Sequence, residues 1–182
     1  MTIQPNDILE FWYADENRAF WFKSTPEMDA LIKARFEPTW RQARDGALDH
    51  WKRDGEGCLA LAIVLDQFPL NMFRGEAMSF STEQQAVAIA RHAIAEGLDQ
   101  HLPAERRAFL YMPLMHSENL ADQDEAVRRF GMAGLDSNLR FAEHHRELIR
   151  RFGRFPHRNA ILGRASTTEE LAYLASDEAF TG

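Results

Sequence analysis

The chain has 182 residues, of which 45% are apolar, and a formal net charge of −7. A chain of this length can bury roughly 70% of its unfolded surface around one core, so a single domain over residues 1–182 is expected. The acidic balance speaks against broad nucleic-acid binding, which needs a positive face to displace counterions from phosphate, and the single cysteine, Cys58, leaves no internal disulfide to form.

The opening "MTIQPNDILEF" lacks the basic start and long apolar stretch of a secretory signal, and the longest apolar stretch, "CLALAIVL", is too short to cross a bilayer. A cytoplasmic location with no membrane partner is the expectation. Apolar residues recur at three- and four-residue spacing with breaks at Pro and Gly, and no strand alternation is present, so the class is all-α. Residues 1–52 are rich in Trp and Phe, which makes that part a cap packed on the remaining helices.

In chain order, the first strong helix is "TPEMDALIKARFEPTWRQAR", with Thr25 as N-cap, Pro26 at the first helical position and a bend expected near Pro38. "CLALAIVLDQF" is apolar on every face, marking a helix surrounded by protein. The residue before proline avoids helical conformation, so this helix should end at Phe68-Pro69. A capping box from Ser81 to Gln84 opens "STEQQAVAIARHAIAEG", whose Ala86, Ala90 and Ala93 stripe suits closely stacked antiparallel hairpins. "LPAERRAFLYM" should stop before Pro113, "SENLADQDEAVRRFGM" should take Ser117 as cap, and "DSNLRFAEHHRELIRRFG" should run from Asp136 to Gly153. A second capping box, Thr167 to Glu170, opens the last helix.

Two stretches repeat a pattern. "DQFPLNMFRG" and "GRFPHRNAILGR" each hold Phe-Pro, then Asn, then Gly beside Arg. Asp66 and Gln67 lie at the end of the buried helix, where burial and the helix dipole both disfavour a carboxylate, so Asp66 should pair with Arg74, Arg154 or Arg158. Residues 140–164 hold seven arginines against Glu143 and Glu147, a local +5. Forked guanidinium groups suit carboxylate or phosphate. The two corners are therefore expected to form one pocket for a small anionic ligand, built from Asp66, Gln67, Asn71, Arg74, His145, Arg154, His157, Arg158 and Asn159.

Two other readings stand beside this one. In the first, the polar corners only brace the helices of an interaction scaffold that takes a protein partner. In the second, the chain is a hydrolase with His116 or His157 as base and Glu118 orienting His116. His145 shares an apolar stripe with Phe141, Leu148, Ile149 and Phe152, which favours a core histidine. His116, Glu118, His145 and Asp66 offer metal-ligand chemistry, but no His pair has the i, i+4 spacing of a zinc helix, and no metal is expected. The absence of glycine-rich phosphate loops and dinucleotide fingerprints means no cofactor is expected either.

The stretches "LALAIVLDQFPLNMFRG", "FLYMPLMHSENLADQ" and "HRELIRRFGRFPHRNAILGRASTTEELAYL", with the opening "ILEFWY", resemble the uncharacterised bacterial family called domain of unknown function 924 over nearly the whole chain. The resemblance implies a tetratricopeptide-repeat-like all-α fold. It implies no agreed activity.

Overall fold

Residues 3–179 are described by the computed structural model of the protein, and the outermost residues of the expected 1–182 span lie outside them. All regular structure among the described residues is helical: α1 (Pro5–Tyr13), α2 (Asp15–Arg18), α3 (Pro26–Arg44), α4 (Gly55–Ala62), α5 (Phe68–Met72), α6 (Glu83–Ala95), α7 (Ala104–His116), α8 (Leu120–Met132), α9 (Asp136–Phe152) and α10 (Thr168–Leu174). Short 3-10 turns join several of them. From α6 to α9 each helix packs against the next in sequence, α6 on α7, α7 on α8 and α8 on α9, which is compatible with stacked hairpins.

The N-terminal aromatics are largely core. Phe11, Trp12, Phe36, Trp40 and Trp51 are buried in the main core, while Phe22 is exposed and lies over Phe109. The α4 backbone approaches the chain before it so closely that a Cβ on Gly57 would sit 1.9 Å from the Trp51 carbonyl oxygen. Only glycine fits there, because the clash would be with backbone that cannot swing away.

The helix holding Asp66 does not end at Phe-Pro. Between α4 and α5 the chain makes a π turn, Ile63–Gln67, and Phe68 itself is helical at φ −60° and ψ −41°. Pro69 has no N–H, so the carbonyl four residues earlier, Leu65, loses its helical partner. The Thr82 hydroxyl donates to that carbonyl at 2.6 Å and accepts from Trp40 Nε1 at 3.1 Å. Thr82 is the N-cap of α6, and with its hydroxyl engaged it makes no capping bond. The expected Ser81–Gln84 box is accordingly absent, with Ser81 donating to the Met78 carbonyl instead.

Pro113 also fails to stop its helix, and α7 runs on to His116. An interior proline costs about 3 kcal/mol. Leu110, Met112, Leu114 and Met115 around it are buried, each worth about 1.5–3 kcal/mol, so packing outweighs the lost bond. The cap of α8 is Asn119, which accepts from Ala121 N, rather than Ser117, whose hydroxyl donates to Asp122. The Thr25 cap, the glycine after α9 and the Thr167–Glu170 box are as the sequence indicates.

Candidate functional site

Asp66 leaves the π turn buried, 5% exposed, and meets no arginine. Its oxygens lie 2.9 and 3.0 Å from Nδ1 of His116, at the C-terminal end of α7, and the Gln67 amide donates to it as well. This corrects the expected arginine partner. The histidine ring serves in its place because the π turn and the continuation of α7 past Pro113 bring the ends of these two helices together. A carboxylate only accepts, so Nδ1 carries the proton and Nε2 is left as the open ring nitrogen. Nε2 has no partner among the described residues, and the His116 side chain is 18% exposed.

Arg158 comes to this site from the second corner, where Phe155 is extended at φ −88° and ψ 110°, as a residue before proline should be. The guanidinium lies between the rings of Phe80 and Phe155, each 4.6 Å from it, and is 7% exposed as a residue. It donates to Glu83 at 2.7 Å and to the His116 carbonyl at 2.9 Å. Glu83, the first residue of α6, has its pKa raised: burial is the main cause, Asp66 adds to it, and Arg158 and His116 oppose it.

The remaining predicted residues go elsewhere. Asn71 and Arg74 both bind Asp29 of α3, Arg74 through two nitrogens at 2.7 and 3.1 Å. Arg154 makes a two-pronged pair with Glu170, which also accepts from Asn159 and from Thr167 N. The Arg154 bonds foremost hold Glu170 down at a pKa of about 2. Glu118 does not orient His116; it accepts from Phe155 N and pairs with Arg164 through both oxygens. The expected single pocket is thus replaced by separate ion pairs, because α3, α6, the turn before α8 and α10 each supply a carboxylate from outside the arginine-rich stretch.

His145 lies in a core with Phe155, and its Nδ1 bonds the Phe141 carbonyl at 2.7 Å. Burial pushes its pKa down to about 3. Burial likewise lowers His157 to about 4, with Arg158 adding to the effect. Both stand within electrostatic reach of His116. The four groups considered as metal ligands divide between these arrangements, and among the described residues no three His, Cys, Asp or Glu side chains gather as a metal site would require.

Glu83, Phe80, Asp29 and Arg164 escaped the sequence reading as site residues. Glu83 looks like an ordinary first-turn acid, and nothing in spacing alone links it to Arg158, 75 positions away. No helix among the described residues is long and apolar enough to cross a membrane.

No match is found among curated proteins. A solved structure of a protein of unknown function from Agrobacterium tumefaciens is similar at 39% identity and a TM-score of 0.89, covering 94% of this chain and 96% of that one. The family model described as bacterial protein of unknown function (DUF924) matches residues 8–178, and the chain belongs to that family.

Proposed function

We propose that the protein is a hydrolase whose general base is His116, oriented by Asp66. One observation carries this reading: a buried carboxylate on Nδ1 with Nε2 left open at the surface, the arrangement that fixes an imidazole tautomer for proton transfer. The π turn that places Asp66 supports it, since such turns are costly and occur often at functional sites. His157 is the weaker candidate, because burial keeps it from charging near neutral pH.

The anionic-ligand reading lacks a free cation at Arg74, Arg154 and Arg158, each of which has a carboxylate partner. Bracing corners of a scaffold are favoured by the closed set around Glu118, Arg164, Asn159 and Glu170, and this stands as the second reading. The neighbour-on-neighbour packing supports a tetratricopeptide-like stack, and buried, unpaired Cys58 supports a reducing compartment.

The test is turnover of a panel of carboxylic esters, anilides and phosphate esters by wild type, His116→Gln and Asp66→Asn. Wild-type turnover that falls about 100-fold or more in both variants is expected, the usual size of a general-base contribution. A wild-type rate equal to that of His116→Gln removes the hydrolase reading in favour of the scaffold.

A further inference from the structure

The hydrolase reading leaves one charged group at the same site without a task. Glu83 offers Oε2 to Arg158, while Oε1 has no partner among the described residues, and its side chain is 12% exposed beside a His116 that is 18% exposed. Arg158 ties the two together by donating to the carboxylate of one and the carbonyl of the other, and the rings of Phe80 and Phe155 keep it from swinging away. The titratable and charged groups nearby are Asp66, Glu83 and Arg158, with His145 and His157 held neutral and Glu118 and Arg164 cancelling.

We propose that Glu83 is the general acid partnering His116, and that the bond cleaved is an ester or amide in an uncharged substrate whose leaving group needs a proton. This rests on the hydrolase reading. A base oriented by Asp66 and a buried carboxyl, joined through the Arg158 guanidinium, are two groups with opposite proton preferences, the usual division between base and acid. Burial raises the pKa of Glu83, which keeps its proton available to higher pH than a solvated glutamate would. An anionic substrate would meet the Asp66 carboxylate and a guanidinium already engaged with Glu83 and the His116 carbonyl, so an uncharged one suits the site.

The step balances. His116 Nε2 takes a proton from water as the water oxygen bonds the acyl carbon. The bond to the leaving group then breaks with its electron pair passing to the departing oxygen or nitrogen, which receives the Glu83 proton. The imidazolium proton returns to Glu83 through solvent, and one water is consumed.

The experiment compares wild type, Glu83→Gln and His116→Gln on acetyl esters whose leaving groups run from p-nitrophenol to ethanol, with circular dichroism to confirm folding. Glu83→Gln should leave the p-nitrophenyl rate within about threefold and lower the ethyl rate about 100-fold or more, since only the poor leaving group needs the acid. His116→Gln should lower both. Equal losses on both esters in Glu83→Gln, or no loss on either, overturn the role of Glu83 while a His116 effect keeps the hydrolase reading. Absence of wild-type turnover overturns both. Carbon-detected NMR titration of Glu83 in the wild type gives a check that needs no variant: a midpoint below that of free glutamate overturns the proposal.

Discussion

Asp66 is buried without a guanidinium, so its charge is stabilised by two hydrogen-bond donors, the His116 ring and the Gln67 side chain. Removing the carboxylate strands those donors, each costing about 1–3 kcal/mol when left buried and unpaired. Asp66→Ala should therefore lower the urea unfolding free energy by at least that much. Asp66→Asn, which retains an oxygen for Nδ1–H, should lose less stability while still impairing turnover. Equal stability losses in the two variants would mean that shape, not hydrogen bonding, sets the cost. His145 gives a second prediction at this scale. Its folded-state pKa, about 3, lies below the ordinary value of 6.5, so the folded chain binds fewer protons than the unfolded chain in between. Its contribution is present above pH 6.5 and drains away as pH falls toward 3, by up to about 1.4 kcal/mol per pH unit. His145→Gln should flatten the urea midpoint against pH between 6.5 and 4.5. An unchanged slope would assign the acid sensitivity to other groups.

At the level of helices, the π turn, Pro69 and Thr82 form one unit. Proline removes the donor for Leu65 O, Thr82 supplies another, and α6 starts without its side-chain cap as a result. Thr82→Ala should cost about 1–3 kcal/mol, since it leaves a buried carbonyl and the Trp40 indole N–H without partners. Pro69→Ala restores a backbone N–H near Leu65 O, so the double variant should be less destabilised than the sum of the singles. Strict additivity would uncouple the two sites. The same unit explains what could be read in advance. The all-helical class, the α3 start at Thr25 and the α10 capping box follow from local hydrogen bonding, which the sequence displays directly. The ends at Phe68 and Pro113 do not, because the propensity for proline to break a helix was outweighed by the burial of Leu65, Phe68, Leu114 and Met115, a tertiary effect invisible to spacing. For the site, Asp66, His116 and Arg158 were identifiable as polar groups at buried or turning positions. Their pairing was not, since it depends on which carboxylates other helices bring to the arginines.

Across the whole molecule, two cores form among the described residues. The main one extends from Ile8 to Ala142, and a small one gathers Leu148, Ile149, Phe155 and Tyr173 at the C-terminal end. So small a cluster holds its segment weakly, and polar ties contribute in proportion. Glu118 supplies the central tie: from the turn before α8 it accepts from Phe155 N and from both terminal nitrogens of Arg164, so one carboxylate fixes both ends of the second corner. Burial opposes its ionisation, but the bonds from Arg164 and Phe155 outweigh burial and hold its pKa below the ordinary value. The folded value being depressed, this stabilisation is present above the unfolded pKa and is lost as pH falls through the folded one. Glu118→Gln should loosen residues 153–178 without melting the main core, because local openings occur at lower free energy than global unfolding. Hydrogen exchange should then speed up in α10 and the 153–166 corner while α4 and α7 keep their protection. Limited proteolysis should cut the variant within that segment and leave the α1–α9 part intact. If exchange instead rises uniformly across both cores, the C-terminal segment unfolds only with the rest of the chain, and Glu118 stabilises the molecule as one cooperative unit.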